Sequence, residues 1–226
     1  MSKTVLITGS SQGIGLEFCK QLSALDYNVI ASCRRSSRAS ALKELGKKIK
    51  MRELDITAEN QLINLRDELI RKPIDILILN AAVFGQREMG IGNIDVDDMI
   101  ETFKTNAIYQ LKVIEAFLPH LLAGHDKKII AISTTMASIT DNTTGSDYSY
   151  RGSKAALNAM IYSAALDLNQ YGIRTLLLHP GWVCTSMGGD LAPLNVKDSV
   201  SAMIKVIESD FKSGSFLDYK GHTLPW

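Results

Sequence analysis

Short runs of continuous apolar, largely β-branched residues recur along the chain at 5–8, 29–32, 49–54, 74–79, 128–133 and 174–179. Strands buried on both faces read as continuous runs, whereas half-exposed strands alternate. Between the runs lie segments of helical period, at 14–25, 59–70, 97–122 and 150–170. That alternation predicts an α/β fold: a doubly wound parallel sheet of about seven strands with helices on both faces. A length of 226 residues suits one domain spanning 1–226, and no repeat, low-complexity stretch or Pro/Gly-rich linker marks a boundary inside it. Ligands of open parallel sheets sit beyond the carboxyl ends of the strands. The irregular stretches 84–95, 139–149 and 185–195 all follow strands and are candidate walls of a site.

The first run passes into the first helical segment through Thr8-Gly9-Ser10-Ser11-Gln12-Gly13-Ile14-Gly15. Gly9 permits a tight turn, Gly13 lets backbone approach a pyrophosphate, and Gly15 allows close packing of helix on sheet. The helix N-terminus, with Ser11, Gln12 and Ile14 around it, supplies amides and a positive dipole end to an anion. A strand, this loop and a helix together predict dinucleotide binding, and with it a Rossmann-type sheet. The second run ends Ala31-Ser32-Cys33-Arg34-Arg35. An acid at that point holds a ribose 2'-hydroxyl, while a basic side chain accommodates a 2'-phosphate. Cys33 stands where the acid would be, and Arg34, more than Arg35, can make charge-assisted bonds to phosphate, so NADP(H) is favoured over NAD(H). A plain solvated turn is the other reading of those two arginines.

Of the seven tyrosines only Tyr150 has a lysine four residues on, Lys154. At that spacing the two side chains share one helix face, and Tyr148, whose counterpart is Gly152, cannot form the pair. Reduction of a carbonyl needs a proton delivered to oxygen, and an ordinary phenol is a poor match to neutral pH. A neighbouring Lys154 ammonium is expected to lower it, making Tyr150 the general acid in reduction and the base in oxidation.

The glycine loop and Tyr150-Arg151-Gly152-Ser153-Lys154 resemble the classical short-chain dehydrogenase/reductase family. The resemblance implies further site residues. Asp55 and the Ile56 amide of Leu54-Asp55-Ile56-Thr57 would lie against the adenine; turn chemistry at Asp55, with Thr57 capping the next helix, is the plainer alternative. Asn80-Ala81-Ala82 stands where the family has N-N-A-G, with Leu79 and Ala82 departing from it, so Asn80 and Ala81 carry over. In Pro180-Gly181-Trp182-Val183-Cys184-Thr185 the Val183 amide and Thr185 hydroxyl would fix the nicotinamide carboxamide. Asn106 in Thr105-Asn106-Ala107 would hold a water linking Lys154 to solvent; taken alone it is a polar residue interrupting a helix. The family's catalytic serine falls on Thr134 in Ile132-Ser133-Thr134-Thr135-Met136-Ala137-Ser138, with Ser133 and Ser138 as the neighbouring hydroxyls that could take the role. Segments through Ser153-Lys154-Ala155-Ala156-Leu157-Asn158 and Asp218-Tyr219-Lys220-Gly221-His222 extend the likeness to the sniffer/C-factor branch of NADPH-dependent carbonyl reductases, which also includes signalling proteins.

A summed charge of +1 gives no reason to expect nucleic acid or an anionic membrane as partner, and a small-molecule carbonyl substrate fits better. Three cysteines without metal-ligand spacing argue against disulfides and against a zinc site, and no metal is expected. The expected compartment is the cytoplasm, since a strand within a few residues of Met1 leaves no room for a signal peptide. Relatives form homodimers or homotetramers, and the sequence does not choose. The competing function is a nucleotide-binding signalling or regulatory protein of the same fold with little turnover.

Overall fold

Each apolar run forms a parallel strand in the computed structural model, which describes residues 2–35, 39–46, 48–70 and 72–226. The strands are β1 (Thr4–Ile7), β2 (Asn28–Cys33), β3 (Ile49–Glu53), β4 (Ile76–Leu79), β5 (Lys128–Ile132) and β6 (Arg174–His179), joined by β7 (Ser215–Asp218) at the edge. They lie in the order β3-β2-β1-β4-β5-β6-β7, every pair parallel, so the chain reverses its direction of travel across the sheet between β1 and β4. This is the Rossmann-type doubly wound sheet, and its switch point is where such folds open a crevice.

Helices cover both faces because successive strand residues point to opposite sides. Val5 and Ile7 enter one apolar cluster with Phe18 of α1 (Gly13–Ala24) and Val200, Met203 and Ile204 of α7 (Val196–Glu208). Leu6 enters the other, with Leu62 of α3 (Glu59–Glu68), Phe117 of α5 (Tyr109–Ala123) and Leu157 and Ile161 of α6 (Tyr148–Leu168). Each fully buried aliphatic or aromatic side chain of this kind contributes about 1.5–3 kcal/mol. The short α2 (Ser40–Lys43) follows β2. Helix α7 starts where the Asn195 side chain accepts from the Asp198 amide, and it buries Val200, Met203, Ile204 and Ile207 at helical spacing.

The segment expected as one helix over 97–122 is interrupted. It runs as α4 (Val96–Phe103), a π-helical turn over Lys104–Ile108, then α5. The cause lies in two side chains that reach out to the strand-end loop. Asn106 Nδ2 donates to the Val83 carbonyl and its Oδ1 accepts from the Val83 amide, while Gln110 Nε2 donates to the carbonyls of Ala81 and Thr105. One extra residue in the turn lets Asn106 make these bonds while remaining buried, a device found mostly at functional positions. Cys19, Cys33 and Cys184 are free, and no helix among the described residues is long and apolar enough to cross a membrane.

Candidate active site

At the carboxyl end of β1 the backbone turns at Gly9, φ +68°, directly over Ala81. Asn80 ties the two segments together: its Nδ2 donates to the carbonyls of Thr8 and Gly9, and its amide and that of Ala81 donate to Thr8 Oγ1. Asn80 thus braces the loop from below. Gly15 lies so close to the Gly9 carbonyl that a Cβ would stand 2.4 Å from it. Gln12 precedes α1 without capping it and donates instead to Ser186 Oγ at 3.1 Å. The amides of residues 11–15 make no hydrogen bond outside the helix among the described residues, and first-turn amides have no partner within it. The loop therefore presents a row of donors at the positive end of a helix.

The opposite wall comes from the segment after β6. Gly181 turns at φ +84°, Pro180 accepts from Ser199 Oγ through its carbonyl, and Thr185 Oγ1 accepts from the Gly188 amide. Thr185 faces the glycine loop, with its methyl 3.5 Å from where a Cβ of Gly13 would be. Arg34 and Arg35 are exposed beyond β2, and Cys33 is buried with its thiol pushed up by that burial, so the second strand ends without a carboxylate of its own. Asp55 accepts from both the amide and the hydroxyl of Thr57. This is turn chemistry, and Thr57 is not the helix cap: Ala58 occupies that position with no side-chain bond.

Tyr150 and Lys154 lie on the buried face of α6, with Gly152 between them allowing the Phe103 ring of α4 to come within 3.0 Å of its would-be Cβ. Lys154 Nζ donates to the Ile132 carbonyl at 2.8 Å, anchoring the pair at the carboxyl end of β5. Burial pushes the Lys154 ammonium down to about 8. Tyr150 departs from the sequence expectation. Its phenol is pushed up to about 12 by burial, and the charge acting to lower it is that of Arg87, not Lys154. Lys154 is itself desolvated and directed at a carbonyl, which explains its weak influence.

The three candidate hydroxyls are differently engaged. Ser133 Oγ donates to Asn158 Oδ1 at 2.6 Å, and Ser138 Oγ donates to the Trp226 carbonyl while accepting from the Asp141 amide. Thr134 Oγ1 only accepts, from the Met136 amide, so its proton remains available. Among the described residues Asn106 makes no hydrogen bond to Lys154; its Nδ2 reaches Ser153 Oγ, one residue away on α6, at 3.0 Å. Two residues that no spacing singled out complete the surroundings. The Phe84 ring stacks on Tyr150 at 4.4 Å between centroids, and the Arg87 guanidinium lies over the Phe84 ring. The only sequence signal for them was their place in a loop after a strand. Among the described residues no group of three or more His, Cys, Asp or Glu side chains could hold a metal ion.

The model of a family described as short chain dehydrogenase matches residues 3–194. C-signal of Myxococcus xanthus is 44% identical over 156 residues, covering 68% of this chain and 93% of that protein. Among solved structures, carbonyl reductase Sniffer of D. melanogaster superposes with a TM-score of 0.95 at 30% identity, covering the whole of both chains. The NADPH-bound carbonyl reductase from chicken fatty liver gives a TM-score of 0.92 at 34% identity, over 100% of this chain and 99% of that one.

Proposed function

Because the chain belongs to the short-chain dehydrogenase family, we propose that it is an NADPH-dependent carbonyl reductase, converting a ketone, aldehyde or quinone to the alcohol. The observation that carries this reading is the burial of Tyr150 and Lys154 on one face of α6 at the end of β5, across the sheet's switch point from an uncapped glycine loop. The residues present suit the cofactor. The loop amides of Ser11, Gln12, Gly13 and Ile14, with Gly9 and Gly15 as the close-packed turn, would take the pyrophosphate; Arg34 would take a 2'-phosphate, Asp55 and Ile56 the adenine, and Asn80 and Ala81 would support the loop. Pro180, Gly181, Val183 and Thr185 would border the nicotinamide. Neighbours of known structure solved with NADPH or NADP support the choice over NAD(H).

Reduced nicotinamide, when bound, supplies a hydride to the carbonyl carbon. Tyr150 delivers the proton to the oxygen, and a phenol held up at about 12 is fully protonated at neutral pH, the form that reduction needs. The free donor of Thr134 orients the carbonyl. Lys154 holds the end of β5 and α6 together and carries the proton reserve nearest Tyr150 on the helix. Asn106 fixes the helix through Ser153. The test is oxidation of NADPH, followed by absorbance, with a panel of carbonyl compounds: wild type turns over, and Tyr150→Phe loses about 10²–10⁴-fold in kcat with NADPH affinity kept. A second reading, a nucleotide-binding signalling protein with little turnover, draws on the identity to C-signal. NADPH binding without turnover of any carbonyl would decide for it.

A further inference from the structure

Arg87, in the loop between β4 and α4, is an exposed cation with an unusual set of neighbours. Its guanidinium carbon lies 4.2 Å from the centroid of Phe84, and the Phe84 ring is stacked on Tyr150 at 4.4 Å with an interplanar angle of 14°. Arg87 Nη2 donates to the Met187 carbonyl at 2.6 Å, reaching the segment that forms the opposite wall. Among the described residues no carboxylate pairs with it. A guanidinium has five N–H donors in a fork that fits a carboxylate, and the hydrogen bond Arg87 makes among the described residues uses Nη2.

The fold aims this side chain. Gly85 turns at φ +75° against Thr102, Asp98 and Ser149, where any Cβ would collide with Thr102 Oγ1 at 2.5 Å. The Gln86 amide donates to Asp98 Oδ2 and the Glu88 amide to Asp147 Oδ1, while Met89 is fully buried. The residues on either side of Arg87 are thus pinned to α4 and to the start of α6, the helix that carries Tyr150.

We propose that Arg87 recognises an anionic group on the substrate, so that the preferred carbonyl compounds bear a carboxylate about one benzene ring's reach from the carbonyl that is reduced. The inference rests on the carbonyl-reductase reading of the same site. Laid end to end, the 4.2 and 4.4 Å centroid distances are the most that can separate the guanidinium from the Tyr150 ring, a span within reach of a para-substituted ring lying alongside Phe84.

The matched probes are para-carboxybenzaldehyde and its methyl ester, followed by NADPH oxidation in wild type, Arg87→Ala and Arg87→Lys. In wild type kcat/KM for the acid exceeds that for the ester by about 10- to 100-fold, mostly through KM. Arg87→Ala lowers the acid's kcat/KM by about that factor more than the ester's, and Arg87→Lys restores part of the ratio. No preference for the acid in wild type, or a preference that survives in Arg87→Ala, overturns the proposal. Equal losses for both probes also overturn it, since they identify Arg87 as a brace for Met187 alone. Calorimetric binding of both probes in the presence of NADP⁺ gives the same comparison without turnover. Arg87-dependent binding of the acid with no reduction of either probe upholds the recognition and refutes the reductase reading instead.

Discussion

Gly9→Ala tests the architecture of the cofactor loop, and the structure supplies its own control. At Gly9 φ is +68°, and a Cβ would stand 2.8 Å from Ala81 Cα, 3.0 Å from its nitrogen and 3.2 Å from its Cβ. The first two obstacles are backbone, itself fixed by hydrogen bonds to Thr8. Gly172 has the same φ of +68°, but a Cβ there meets nothing within 4 Å. The left-handed conformation costs alanine about 1–2 kcal/mol, which is the expected loss for Gly172→Ala. Overpacking against fixed backbone adds about 1–3 kcal/mol, giving roughly 2–5 kcal/mol for Gly9→Ala. The gain from a stiffer unfolded chain is common to both and cancels in the difference. Urea unfolding of the two variants with wild type gives the stabilities, and NADPH fluorescence gives the affinities. Gly9→Ala is expected to lose affinity because Ala81 and the loop must separate, whereas Gly172→Ala keeps it. Equal destabilisation of the two variants, or unchanged affinity in Gly9→Ala, would refute the claim that close contact with Ala81 demands glycine here.

Three further outcomes follow from the site. Thr134→Ala should lower kcat by about 10- to 10³-fold with NADPH affinity intact, while Ser133→Ala keeps turnover; steady-state kinetics with full activity in Thr134→Ala would move the role elsewhere. Arg34→Asp should raise the ratio of kcat/KM with NADH to that with NADPH, and a ratio that does not move removes Arg34 from 2'-phosphate recognition. Lys154, at about 8 when folded against an ordinary 10.5, loses its proton in the native state first, so the unfolded chain binds more protons and stability rises with pH from about 8 upward. The full effect is on the order of 3 kcal/mol, and unfolding midpoints from pH 7 to 9.5 should show wild type gaining on Lys154→Met; parallel curves would show that Lys154 is not desolvated.

Periodicity made the sheet legible because strands covered on both faces carry unbroken apolar runs, and β6 falls on residues 174–179 as expected. β7 escaped because Ser215 and Asp218 dilute a four-residue edge strand, whose single fully buried residue is Phe216. Helix α7 was not among the helical segments expected, although Asn195 and Asp198 mark its start with a local cap. The break in the helix over 97–122 depends on the bonds of buried Asn106 to the backbone of Val83, a partner distant in sequence. The same limit hid Phe84 and Arg87. Stacking on Tyr150 depends on a loop pinned by Asp98 and Asp147, and no spacing rule expresses that.

The site is best understood by asking which polar groups the fold has already used. Thr8, Asn80, Asn106, Ser133, Ser138 and Ser153 are each bonded to backbone or to another side chain, so they shape the crevice and have little left for a ligand. Loop amides 11–15, the Thr134 proton and the Arg87 fork remain outside those networks. No hydrogen bond is made by Tyr150 Oη among the described residues, although its ring is held by Phe84 and its phenol kept protonated by burial. Thr134 and Tyr150 are buried, and buried polar groups are normally satisfied, so their hydroxyls mark where a ligand supplies partners, while the loop amides and the exposed Arg87 offer donors to an anion. The loop amides suit a phosphate, the Thr134 and Tyr150 hydroxyls a carbonyl oxygen, and the Arg87 guanidinium an anion. That set of requirements makes Arg87, the member no motif announced, the residue whose substitution most directly tests what the substrate is.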